Sequence, residues 1–144
     1  MAEMDTVKFE MVTPERLLVS QQVHMVVIPG GEGNFGVLPG HSPLLSTIRP
    51  GTIALYGKDN KIAERLFVEG GFAEVTPESC TVLVEVAVTL RNITMEMADE
   101  RVQKANDALM DAGTDGERRG AERELEAAEA MLAAVDEARK DHLH

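Results

Sequence analysis

Up to about residue 90, apolar positions recur with period two in short runs, each closed by glycine, proline, asparagine or aspartate. In TVKFEMVT, Val7, Phe9 and Met11 share one face and Lys8 and Glu10 the other, as in a strand with one buried side. PERLLVS follows a turn at Pro14. QVHMVVIPG alternates at Val23, Met25 and Val27, then stops at Pro29-Gly30. TIALYG, RLFVEGGFAEVT and CTVLVEVAV continue the theme, punctuated at Gly40, Pro50-Gly51, GKDNK (57–61) and Pro77. About eight to ten short strands at this spacing predict an all-β sandwich or barrel.

Beyond residue 90 the period changes to that of a helix. Ala98, Val102, Ala105, Leu109 and Ala112 form one stripe, and Ala121, Leu125, Ala128, Leu132 and Val135 a second, both at steps of four and three. GTDG (113–116) separates them, and Thr114 with Glu117 has capping-box spacing. A break this short folds the helices back as an antiparallel hairpin. The Ala-rich seam allows close approach but buries little apolar area, so the hairpin is expected to be weakly held. Its outer faces carry like-charged i,i+4 pairs such as Glu122 with Glu126 and Arg119 with Arg123, a solvated surface. The expected division is a β-sandwich at 1–90 and a helical hairpin at 91–144.

Composition narrows the partners. The net charge of −11 would repel a phosphate backbone, and aromatics at 3% offer no stacking platform, so nucleic acid is excluded. A lone cysteine, Cys80, cannot form an intrachain disulfide and fits a reducing compartment. No apolar run approaches the length of a membrane span, and MAEMDTVKFEM lacks the pattern of a signal peptide, so no direct membrane insertion is expected.

The one motif suggestive of chemistry lies in GGEGNFGVLPGH (30–41), where Gly31, Gly33 and Gly36 spell G-x-G-x-x-G. A dinucleotide loop must follow a strand and open a helix, whose N-terminus holds the pyrophosphate. A strand precedes these glycines, but Pro39, Gly40 and Pro43 forbid a helix after them. The stretch is therefore expected to be a tight β connection with glycines at positive φ. A cupin-like metal site needs several converging histidines, and the β region offers only His24 and His41, in different segments. Cys80 lacks any nucleophile signature, and no serine sits in G-x-S-x-G. No catalytic residue, metal or cofactor is expected.

EGNFGVLPGHSPLLSTIRPG, then LFVEGGFAEVTPESCTVLVEVAV, then the acidic Ala-rich helical pair, resembles in order the epsilon-subunit family of bacterial F-type ATP synthases, called delta in organelles. The resemblance spans essentially the whole chain and is most specific from Gly33 to Gly51, with GGFAEV (70–75) as a second anchor. It implies a ten-stranded antiparallel β-sandwich followed by a two-helix hairpin. It also implies a non-catalytic subunit of the rotating central stalk, which docks on the gamma subunit and the polar loops of the c-ring and couples proton flow to ATP synthesis. In many bacteria the family's hairpin extends along gamma, toward the catalytic alpha and beta subunits, and restrains ATP hydrolysis. The implied location is peripheral, on the cytoplasmic face of the bacterial inner membrane.

On this family, Glu32, Gly33, Asn34 and Phe35 match the stretch facing the c-ring, with Phe35 as an apolar anchor. His41 is placed near the same end as an interface residue, and Leu44 and Leu45 are expected in the core. Some members bind ATP through (I/L)-D-x-x-R-A at the start of the first helix, with arginines on the second. Here Asp99 is followed by Arg101 two residues on rather than three, and Val102 stands in place of the alanine. Asp99, Arg101, Arg119 and Arg123 are the weak candidates for such a site, with surface roles as the default. The competing readings are a free-standing sandwich adaptor, separable by its partners, and a cupin-like enzyme, separable by bound metal.

Overall fold

The computed structural model describes residues 5–142, so the outermost ends of both expected domains, and the first residues of the N-terminal stretch, lie outside it. The chain divides into two units, Met1–Thr89 and Leu90–His144.

The first unit contains β1 (Val7–Val12), β2 (Leu17–Val23), β3 (Met25–Gly30), β4 (Gly33–Val37), β5 (Leu44–Ile48), β6 (Gly51–Tyr56), β7 (Ile62–Val68), β8 (Gly71–Val75), β9 (Ser79–Val84) and β10 (Ala87–Thr89). One group runs β10-β7-β6-β3 with β4 beside β3, and the other runs β5-β8-β9-β1-β2. The two are joined at a single residue pair between β3 and β5, Gly30 opposite Ile48. Their inward side chains, among them Val7, Phe9 and Met11 from one group and Val26, Ile28 and Ile53 from the other, form one core. This is the expected ten-stranded sandwich, with one difference. β1 pairs with β9 in parallel, so the sheet is mixed rather than wholly antiparallel. β1 reaches β9 after most of the sandwich has intervened, so no short hairpin constrains their directions.

Three sequence expectations are corrected. In β3 the core residues are Val26 and Ile28, whereas Met25 and Val27 are only half-buried. A bend at His24 separates β2 from β3 and shifts the phase, and four consecutive apolar residues carry no alternation that would reveal it. Leu44 and Leu45 are not core: they are 40% and 71% exposed. β5 borders its group, paired along its length only to β8, and it turns Leu45 to the same outward side as Glu74 opposite it. Finally, only Gly33 and Gly40 of the 30–41 glycines have positive φ.

The second unit opens with a 3-10 turn (Leu90–Asn92), followed by α1 (Met95–Asp111) and α2 (Asp115–His142). Thr94 caps α1, its hydroxyl accepting from Met97 N at 3.1 Å. At α2, Thr114 Oγ1 accepts from Glu117 N at 3.1 Å, as a capping box requires. The Glu117 carboxylate reaches one residue further back than expected, accepting from Gly113 N at 3.1 Å and from the Thr114 hydroxyl at 3.2 Å. Ala98, Ala105, Ala121, Ala128 and Val135 of the two stripes are buried, joined by Ala127 and Ala134.

Equilibrium urea unfolding tests this division of the core. Phe9→Ala, at a fully buried position, is expected to cost about 3–5 kcal/mol, and Leu45→Ala less than about 0.5 kcal/mol.

Candidate functional site

The glycine-rich stretch is a β-hairpin. β3 and β4 pair from Val26–Val37 to Gly30–Gly33, and Gly31-Glu32 form its two-residue tip. Gly33 and Gly36 lie within strand β4, where the motif would need the start of a helix, which removes the dinucleotide reading. Three of these glycines are required by their surroundings or backbone. At Gly30 an added Cβ would lie 2.7 Å from Gly33 O and 2.8 Å from the Phe35 ring; at Gly31 it would collide with Thr47 Oγ1. Gly33 has open space around it but a φ of 141°, which favours glycine. Glu32, Gly33 and Asn34 are exposed. Phe35 is half-buried, lying on the core and beside Gly30, so it props the hairpin from beneath as well as contributing to its surface.

His41 lies elsewhere. β4 leads away from the tip and β5 returns toward it, so the turn between them sits at the opposite end of these strands. There Gly40 N donates to Pro77 O at 2.8 Å, and His41 Nδ1 lies 2.6 Å from Ser42 O. The structure therefore groups Glu32, Gly33, Asn34 and Phe35, and separates His41 from them by about a strand length, roughly 17 Å for five residues.

Beside the tip lies a surface that local periodicity did not single out. The register aligns Thr47 with Phe72, Phe72 with Leu83, Leu83 with Val12, and Val12 with Leu17. This line crosses β5, β8, β9, β1 and β2 on their outward face. Phe72, Leu83 and Leu17 are each about half exposed (54%, 50% and 51%). A cleft of about 770 Å³ opens along it, lined by Val12, Phe72 and Leu83 of the row together with Pro14, Glu69, Glu85 and Val86. The row is continuous with the tip, because Gly31 N donates to Thr47 O at 3.0 Å. The missed signal was the identity of Phe72 and Leu83, apolar residues at the outward phase of otherwise well-alternating strands.

The candidates for a nucleotide site do not converge on one face. Asp99 and Arg101, two residues apart on α1, point about 200° apart around the helix. Asp99, Arg119 and Arg123 are exposed. Arg101 reaches across to α2, where Nε donates to Glu124 Oε1 at 2.7 Å and Nη2 to Oε2 at 3.1 Å, a bidentate fork. Hydrogen bonding from Arg101 holds the Glu124 carboxyl below its ordinary range. Cys80 is buried in β9, and burial pushes its thiol up to about 12, which removes it as a nucleophile at neutral pH. Among the described residues no three His, Cys, Asp or Glu side chains gather as a metal site, and no helix is long and apolar enough to cross a membrane.

The family described as ATP synthase, Delta/Epsilon chain, beta-sandwich domain matches residues 6–90. The chain belongs to this ATP synthase delta/epsilon family. It is 48% identical over 130 residues to the ATP synthase epsilon chain of Rhodospirillum rubrum, spanning 90% of this chain and 96% of the relative. It is 47% identical over 131 residues to the epsilon chain of Paramagnetospirillum magneticum, spanning 91% and 98%. The fold is also that of a chain in the Euglena gracilis mitochondrial ATP synthase, from a structure of its OSCP, F1 and c-ring (TM-score 0.80, 23% identity, 91% of this chain and 82% of that one). A chain of the Tetrahymena thermophila mitochondrial ATP synthase, from a central stalk and c-ring structure, is similar as well (TM-score 0.63, 11% identity, 90% and 96%). At these identities the two structures bear on the fold alone. The family match thus covers the sandwich that carries the tip and the apolar row.

The Arg101–Glu124 fork yields a pH-dependent prediction. Because the folded-state pKa of Glu124 is lowered, its contribution is present above the unfolded-state pKa and is lost as pH falls through the folded value. The Glu124 side chain is 49% exposed, so solvent screens the pair and its worth is about 0.2–1 kcal/mol. Glu124→Gln should therefore unfold at lower urea than the unsubstituted chain at pH 7, and the gap should close as the pH is taken below about 4.

Proposed function

We propose that this chain is a non-catalytic, central-stalk subunit of an F-type ATP synthase, joining the gamma subunit to the c-ring and so coupling proton flow to ATP synthesis. The observation that carries the reading is the pairing of two chemically different surfaces on one rigid sandwich. The apolar row through Phe72, Leu83, Val12 and Leu17 suits a partner held permanently, because half-exposed large apolar side chains in one line favour burial against another protein. We assign it to gamma. The adjoining tip, Gly31-Glu32-Gly33-Asn34, is small, polar and exposed, and suits the polar loops of the c-ring. The assembly sits on the cytoplasmic face of the membrane, with this chain peripheral to it.

His41, at the other end of β4 and β5, is assigned to the gamma side rather than to the c-ring side. The helical unit is proposed as the regulatory part that restrains hydrolysis, because its seam is built mainly from alanine and gives little area to hold it closed. In this reading Arg101 fastens α1 to α2 through Glu124 instead of contacting a nucleotide phosphate.

Reconstitution with the remaining subunits separates the two surfaces. Leu83→Asp places a charge in the apolar row and is expected to lower co-purification with gamma at least tenfold, since burying an unpaired carboxylate costs several kcal/mol. Glu32→Lys is expected to leave gamma binding intact and to lower proton-driven ATP synthesis while ATP hydrolysis continues. Wild-type gamma binding by the Leu83 variant would remove the row from the interface. Wild-type synthesis by the Glu32 variant would remove the tip.

A further inference from the structure

Arg49 anchors the tip from the neighbouring sheet. Its backbone N–H donates to Pro29 O at 2.9 Å. Its side chain forks, Nη1 donating to Gly30 O and Nη2 to Asn34 Oδ1 at 2.6 Å. One residue following β5 thus holds both strands of the β3–β4 hairpin. The backbone of Pro29 faces Arg49 rather than Asn34: its carbonyl accepts from Arg49 N, and proline has no N–H to add a second bond on that side.

The fork also determines what Asn34 shows to solvent. A guanidinium has donors and no acceptor, so the Asn34 atom facing it is the amide oxygen. The amide nitrogen, with both its N–H groups, is then turned away from Arg49 on an exposed residue. The exposed Glu32 carboxylate on the same tip offers acceptors only.

We propose that Arg49 is a positioning residue for the hairpin tip and that it presents the Asn34 amide as a hydrogen-bond donor to an acceptor oxygen on a polar loop of the partner ring. The inference rests on the reading of the tip as the c-ring contact.

Three variants of the full chain test it, each measured by amide exchange in the free subunit and by proton-driven ATP synthesis in the reconstituted enzyme. Arg49→Ala should raise exchange at Gly30, Gly31 and Gly33 about tenfold, leave β6 and β7 unchanged, and lower synthesis. Arg49→Lys keeps the charge but not the two-armed fork, and should fall between Arg49→Ala and wild type in both measurements. Asn34→Asp is the discriminating change. A carboxylate accepts from Arg49 at least as well as the amide oxygen did, but has no N–H to offer the partner. It should keep the slow exchange of the wild type and still lower synthesis several-fold. Unchanged exchange in Arg49→Ala would overturn the brace. Normal synthesis by Asn34→Asp while Glu32→Lys uncouples would overturn the donor role. Normal synthesis by both Asn34→Asp and Glu32→Lys would instead overturn the placement of the tip at the c-ring.

Discussion

The sandwich depends on one corner. Its two strand groups share a core but touch edge to edge only where Gly30 meets Ile48. Either side of that pair, Gly31 N donates to Thr47 O and Arg49 N to Pro29 O, so the crossing is a short stitched seam rather than a ladder. The seam is tight: a methyl group at Gly30 would meet backbone and the Phe35 ring together. Ile28 and Ile48, both buried, close the core just inside it. Beyond it the β3–β4 hairpin has left the core and projects as the tip. Sealing the interior and aiming the tip are therefore the same structural event, and a displacement at Gly30 would disturb both.

That corner also brings the two proposed surfaces side by side. Thr47 stands beside Gly31 of the tip and opposite Phe72 of the apolar row. The row is costly in isolation, since each half-exposed Phe or Leu forgoes part of the roughly 1.5–3 kcal/mol that full burial would return. In a chain with net charge −11, most of the surface resists non-specific association. A single apolar line on such a surface restricts where a permanent partner can settle. The tip works by different physics: its side chains are short, its backbone is fixed by Arg49, and it offers hydrogen bonds rather than area.

Much of this was legible in the sequence, and the exceptions share a cause. Strict alternation gave β1 correctly, because Lys8 and Glu10 mark the outward phase between Val7, Phe9 and Met11. The same rule misassigned Met25 and Val27, where no polar residue marks a phase and a bend at His24 resets it. Leu44 and Leu45 are apolar yet not core, because neighbours in a strand face opposite ways and β5 lies at the margin of its group. The resemblance singles out Glu32, Gly33, Asn34 and Phe35, which are contiguous in sequence and stay together on one hairpin. It could not show that His41, only six residues beyond Phe35, lies a strand length away, because that follows from the direction of β4. Arg49 was hidden for a similar reason: its partners Gly30 and Asn34 are 19 and 15 residues earlier and meet it only at the corner. The parallel β1–β9 pairing is likewise non-local.

The helical unit is organised by register rather than by area. The turn at 113–114 sets an antiparallel alignment in which position 105 falls opposite 121 and position 98 opposite 128, and all four are buried alanines. The same alignment brings Arg101 to Glu124, which it holds through both carboxylate oxygens. Small residues permit many sliding positions of two helices, because one alanine fits where another did. A bidentate fork permits few, because both oxygens must be met at once. The ion pair therefore specifies the alignment that the seam leaves loosely defined. Its half-exposed carboxylate keeps its energetic contribution modest, so the pair acts on register more than on stability.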